Sequence, residues 1–207
     1  MRGRFITLEG GEGVGKSTQL VALADAIRAR GHCVITTREP GGSEGAEAIR
    51  TLLMQGSEEK WSVRAEALLF AAARADHVEK LIRPALDRGE WVLCDRFIDS
   101  SRAYQGGAGG LSDDDVMALH RVGSEGMLPD RTLVLMLSPS DAEARAMTRD
   151  GGKVDRFGAR NIDYHQEVAR RFREFAQTDP VRVGLIDANG SKSDVTARLL
   201  AEIEDLL

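Results

Sequence analysis

Residues 10–17 read Gly-Gly-Glu-Gly-Val-Gly-Lys-Ser, the G-x-x-x-x-G-K-S spacing of a phosphate-binding loop. The chemistry such a loop offers is capture of a nucleotide's phosphates. The apolar run Phe5-Ile6-Thr7-Leu8 leads into it and a helical pattern leads out. A strand turning into a helix gathers backbone N–H groups and the positive end of the helix dipole at one point. Gly10 permits the turn, and Gly13 and Gly15 let bare backbone approach an anion. With Gly11, Glu12, Val14 and Thr18 they make up the expected ATP-binding set. Lys16 can reach the β- and γ-phosphates, and Ser17 can offer its hydroxyl to Mg²⁺. A glycine-rich turn with a stray lysine is the alternative, and the flanking strand and helix argue against it.

Two arginines stand where strands end. Arg96 follows the run Trp91-Val92-Leu93-Cys94-Asp95, and Arg38 follows Cys33-Val34-Ile35-Thr36-Thr37. Each can present a planar fork to a phosphate monoester, although a surface salt bridge would explain either one alone. Asp95 closes its strand where phosphate-loop enzymes keep a carboxylate for Mg²⁺, and N-capping is its other reading. Without an N-K-x-D guanine-reading motif, a GTPase switch is disfavoured.

The elements that must hold these residues follow from periodicity. Leu20, Leu23, Ala24 and Ile27 share a helical face; Ile49, Leu52 and Leu53 mark a second helix; residues 63–88 give a longer one, bent near Pro84. Gln105–Gly110 reads as a glycine-rich loop, and Val116 and Leu119 mark the helix after it. Thr132–Leu137 and Arg182–Ile186 read as the fourth and fifth strands. Ser140–Arg149 is helical and Asp150–Arg160 polar. Val168, Phe172 and Phe175 mark one late helix, and Val195, Leu199 and Ile203 another. Strands alternating with helices predict an α/β fold of the P-loop NTPase type: three layers, with a five-stranded parallel sheet flanked by helices. Ligands of such sheets bind at the carboxyl ends of the strands.

At 207 residues the length suits one domain, residues 1–207. A formal charge of −5 argues against a broad nucleic-acid or membrane-surface footprint, so any anion must be held by a local cationic cluster. Cys33 and Cys94 fall in expected strands with no metal spacing and read as buried free thiols. His32, His77, His120 and His165 also lack ligand spacing and read as ordinary surface or helix positions. The first strand starts too early for a signal peptide, and no apolar stretch approaches the ~18 residues of a membrane span, so a cytoplasmic protein is expected.

The stretch Leu93-Cys94-Asp95-Arg96-Phe97-Ile98-Asp99-Ser100-Ser101-Arg102-Ala103-Tyr104-Gln105 resembles the signature of thymidylate kinases. Thr37-Arg38-Glu39-Pro40-Gly41-Gly42, Phe70-Ala71-Ala72-Ala73-Arg74 and Glu9-Gly10-Gly11-Glu12-Gly13 fit the same family, and the likeness covers essentially the whole chain. The resemblance implies transfer of the γ-phosphoryl group from ATP to dTMP, Mg²⁺ dependence and a homodimer. Phe70 and Arg74, spaced i, i+4, share a helix face. A ring there can stack on a pyrimidine while the guanidinium donates to a base carbonyl, which suits thymine or uracil over cytosine. Alone, Phe70 reads as core; the resemblance makes it the stacking residue. It also implies that Tyr104 lies where a 2′-hydroxyl would go and that Glu12 reaches the 3′-hydroxyl. Ser100, Ser101 and Gln105 become acceptor contacts, although helix capping explains the serines almost as well. Gly13 occupies the place of a loop arginine, so the chain is similar to the members that keep a catalytic arginine in a lid. Here that lid is residues 146–161, with Arg149 and Arg156 as catalytic candidates beside Lys16 and Arg96. Another nucleoside monophosphate kinase, or an ATP-dependent switch with no acceptor, is the competing function.

Overall fold

The computed structural model describes residues 2–138, 157 and 160–207. Five parallel strands, β1 (Phe5–Glu9), β2 (Val34–Arg38), β3 (Trp91–Asp95), β4 (Arg131–Met136) and β5 (Val183–Asp187), form one sheet in the order β2-β3-β1-β4-β5. The chain leaves β1, skips a position to build β2, and returns to fill it with β3. A crevice therefore opens between the carboxyl ends of β1 and β3, the usual ligand position in open α/β sheets. Register pairs Leu8 with Asp95 across it.

Alternation sorts the strand residues onto two faces. Ile6, Leu8, Leu93, Leu133 and Leu135 pack under α1 (Lys16–Arg28) and the C-terminal helix Lys192–Glu202. That packing uses Leu20, Leu23, Ala24 and Ile27 as the sequence pattern requires. On the opposite face Phe5, Val92 and Cys94 meet Val78, Ile82, Leu86 and Phe97, while Val134 and Val183 meet Val168, Phe172 and Phe175 of the helix Ile162–Thr178.

Several local expectations are corrected. β2 is an edge strand, so only Val34 of its five residues is buried, and Cys33 lies outside it and is exposed. Leu52, expected inward on α2 (Glu44–Met54), is 46% exposed. The long helix is α3 (Val63–His77), which passes through a π-helical segment, Val78–Ile82, into α4 (Arg83–Asp87). Pro84 has no N–H to donate, and the Arg83 N–H instead reaches five residues back to the Val78 carbonyl. Gln105–Gly110 is not an open loop. A short helix, α5 (Ile98–Ser101), widens into a π-helical segment over Arg102–Ala108. Gly107 sits there because the Arg171 side chain occupies the space a Cβ would need, 2.4 Å away. His77 and His120 are helix positions, the second of the two alternatives read from the sequence, and both are buried.

A buried ionic cluster fastens α5 to the sheet. Asp99 accepts from Arg182 Nη1 (2.6 Å), from Thr132 Oγ1 of β4 (2.9 Å) and from Arg102 Nη1 (3.0 Å). Burial opposes ionisation of Asp99, but Arg182 and Arg102 outweigh it and hold its pKa below the ordinary carboxylate value.

Candidate active site

The turn after β1 is set by backbone sterics. Gly10 has φ 127°, and a Cβ there would lie 2.4 Å from the Leu135 carbonyl oxygen, so only glycine fits beneath β4. Gly15 caps α1 in a left-handed conformation, and the loop residues Glu12–Thr18 line one side of a cleft of about 680 Å³. The volume suits small-molecule ligands. Lys16 is 8% exposed and donates to the carbonyls of Gly11 (2.7 Å) and Gly10 (3.2 Å). Burial, reinforced by the nearby Arg96 charge, lowers its pKa to about 8. An anion arriving at the loop would restore the charged form and compete for its donors.

At the end of β3, Asp95 Oδ2 accepts a 3.0 Å hydrogen bond from Ser17 Oγ. This brings together two hard oxygen donors, the ligand type a small divalent cation selects. Arg96 follows with φ 70°, a left-handed conformation that is costly for a residue with a side chain. The turn is held by the Arg96 N–H on the Leu8 carbonyl (3.0 Å). The guanidinium lies 5.0 Å from the Tyr104 ring centroid and donates to Glu12 Oε1 (2.7 Å) and Ser100 Oγ (3.1 Å). Arg96, Glu12, Ser100 and Tyr104 therefore form one cluster beside the loop.

Arg38 also lines the cleft but is half-exposed, and its guanidinium is 3.2 Å from Glu47 Oε2. Farther along, Phe70 and Arg74 project into the same cleft. Arg74 is nearly fully buried. Its Nε donates to Glu39 Oε2 (2.7 Å), and its Nη2 donates to Ser101 Oγ (2.8 Å) and the Phe97 carbonyl (3.3 Å). Glu39 in turn accepts from His77 (3.1 Å), whose other ring nitrogen is 2.8 Å from Thr37 Oγ1. Gly42 is required beside this pair, because a Cβ would lie 2.3 Å from His77 Nε2. Gln105 is buried, donates to Glu66 Oε1 (3.0 Å) and reaches the cleft wall.

The structure thus gathers Lys16, Ser17, Asp95, Arg96, Glu12, Arg38, Phe70, Arg74, Ser100, Tyr104 and Gln105 around one cleft. Arg149 and Arg156, and most of 146–161, lie outside the described residues. Arg50, Glu39 and Phe157 line the cleft without having been singled out from the sequence. Arg50, which donates to the Pro40 carbonyl (2.8 Å), looks like any solvated helix arginine. Glu39 sat within a quoted motif but had no visible partner, whereas Ser101, weighed as an acceptor contact, lines the cleft. Phe157 packs its ring edge-on to Phe70 at 5.7 Å, and a lone aromatic within a charged stretch was its signal.

A family model described as "Thymidylate kinase" matches residues 8–199. The chain belongs to the thymidylate kinase family. It is 58% identical over 207 residues to a thymidylate kinase of Rhizorhabdus wittichii, with all of both chains covered. It is 47% identical over 207 residues to one of Bradyrhizobium diazoefficiens, covering 91% of that protein. A crystal structure of thymidylate kinase from Ehrlichia chaffeensis matches over the full length of both chains with a TM-score of 0.77 and 28% identity. That likeness accords with the P-loop fold expected from the sequence. Family membership makes the chain an ATP-dependent kinase that phosphorylates dTMP to dTDP. Among the described residues no helix is long and apolar enough to cross a membrane.

Proposed function

We propose that the cleft divides the reaction between two half-sites that meet at Arg96. The backbone of Gly10–Thr18 and the Lys16 ammonium hold the ATP phosphates, and the segment 186–190, of which Ala188 and Gly190 line the same cleft, runs beside the adenine. Arg96 and Arg38 take the dTMP phosphate, Phe70 stacks on thymine and Arg74 donates to a base carbonyl. Ser100 and Gln105 complete the acceptor wall. Tyr104 fills the space of a 2′-hydroxyl, and Glu12 reaches the 3′-hydroxyl. The observation that carries this reading is the Glu12–Arg96 contact, which joins the phosphate loop to the end of β3.

A phosphate monoester is mostly dianionic at neutral pH, because its second pKa is about 6, so no general base is needed. The chain's task is alignment of two polyanions and neutralisation of their charge. Lys16 and Arg96 supply that charge, and the family resemblance adds Arg149 and Arg156. Ser17 and Asp95 are the residues that would hold Mg²⁺. The ion would supply further neutralisation between donor phosphate oxygens. One sheet carries both half-sites, which supports treating residues 1–207 as a single nucleoside monophosphate kinase domain.

A homodimer is the proposed assembly. Leu68 on α3 and Val122 on the helix Asp113–Ser124 are 56% and 87% exposed, and the two helices pack together, with Gly123 closely facing Ala71. The cytoplasm, where ATP is supplied, is the proposed location. The test of the acceptor reading is a panel of monophosphates offered with ATP and Mg²⁺, scored for diphosphate formed. Strong preference for dTMP over CMP is expected. Equal rates on the two would overturn the base-reading roles of Phe70 and Arg74.

A further inference from the structure

Glu9 ends β1 and is completely buried, yet neither the loop chemistry nor the acceptor contacts use it. Alternation puts it on the face of Phe5 and Thr7, beneath α5, and away from the phosphate loop's nitrogen cradle. Its two carboxyl oxygens are both engaged. Oε1 accepts the Phe97 N–H at 2.7 Å, and Oε2 pairs with Ser100 Oγ at 2.5 Å. Phe97 is the residue immediately after Arg96, and Ser100 is the residue that accepts from the Arg96 guanidinium. Arg96 itself has the left-handed backbone that nothing in its own chemistry favours.

These contacts bracket Arg96 from both ends. One oxygen of Glu9 pins the peptide just beyond the strained residue, and the other fixes the hydroxyl on which the arginine's fork rests. Burying a carboxyl group is costly, and a well-packed apolar side chain would be cheaper at this depth. A group retained at that cost must hold something. We propose that Glu9 is a positioning residue for the acceptor phosphate: it fixes the backbone of the Arg96 turn and, through Ser100, the direction of the Arg96 guanidinium. Because Glu9 directly precedes Gly10, it also ties the acceptor-side arginine to the origin of the donor loop. The proposal rests on the reading that Arg96 holds the dTMP phosphate.

A double-mutant cycle separates this role from a generic structural one. Glu9→Ala, Arg96→Ala and the double variant are assayed for kcat and for the KM of dTMP, and ATP affinity is measured by direct titration. Glu9→Ala is expected to lower kcat/KM for dTMP by roughly 30-fold or more with Arg96 present. In the Arg96→Ala background it should cost less than about threefold, because the group it positions is gone. ATP affinity should change less than about threefold in Glu9→Ala. Glu9→Gln, which keeps the volume and can still accept from Phe97, should recover most of the loss. Additive effects of Glu9→Ala and Arg96→Ala would overturn the proposal, as would an equal loss of ATP affinity. If Arg96→Ala alone left dTMP kinetics unchanged, the fault would lie in the acceptor reading of Arg96. Should Glu9→Ala not fold, Glu9→Leu removes both carboxyl contacts while filling the buried space, and the same non-additivity with Arg96→Ala is required of it.

Discussion

Replacing Glu9 by glutamine should stabilise the protein, and the gain should grow with pH. Burial, reinforced by the neighbouring Asp99 charge, raises the Glu9 pKa from 4.5 to about 8, against the opposing pull of Ser100, Arg96 and the Phe97 N–H. Between those values the folded chain keeps a proton that the unfolded chain releases. Stability from this group is therefore fully present below pH 4.5 and is lost as pH rises towards 8. Each pH unit inside the window costs about 1.4 kcal/mol, so going from pH 5 to pH 7.5 costs the native protein about 3 kcal/mol. Glutamine does not titrate and escapes this loss. At roughly 2–4 °C per kcal/mol for a chain of this size, the melting temperature of Glu9→Gln should gain about 6–12 °C on the native protein over that range. His120, whose pKa burial lowers to about 4, titrates with the opposite sign below its ordinary 6.5, but it does so in both proteins and cancels in the difference. The assay is thermal unfolding of both proteins by circular dichroism at half-unit steps from pH 5 to 8. A gap between the two curves that does not change with pH would refute the reasoning, since Glu9 would then be ionised in the fold.

Lys16→Ala should lower kcat by at least about 100-fold with dTMP affinity little changed, by analogy with loss of one preorganised donor to a transition state; near-normal turnover in steady-state assays would contradict the loop's role. Arg74→Ala should reduce thymine selection, but it also takes the arginine from buried Glu39 Oε2 and leaves that side chain with His77 alone, at a cost of roughly 3 kcal/mol. Urea titration should show that loss, and adding Glu39→Gln should restore most of the stability without restoring base selection.

The phosphate loop, both sheet-end arginines and the alternation of strands with helices were legible because each depends on residues close in sequence. A Gly-rich turn between a strand and a helix needs no distant partner, and Leu20, Leu23, Ala24 and Ile27 announce a buried helix face by spacing alone. What escaped depended on strand order. β2 reads as a buried strand in the sequence, but it takes the sheet edge, and Cys33, just before it, is exposed. His77 was unreadable because its partners, Glu39 and Thr37, come from another strand end. Arg74 illustrates both cases. Its i, i+4 relation to Phe70 placed it on the cleft, while the carboxylate that fixes its orientation is 35 residues away.

The ionic knot around Asp99 restricts how the enzyme can move. Pulling α5 away from the sheet would break the bonds of the buried Asp99 carboxylate to Arg182 and Thr132 and leave it with Arg102 alone, a far steeper cost than bending an exposed connection. The floor on which Arg96, Ser100 and Tyr104 sit therefore travels with β4 and the start of β5 as one body. Whatever closes over the nucleotides during turnover must come to that floor.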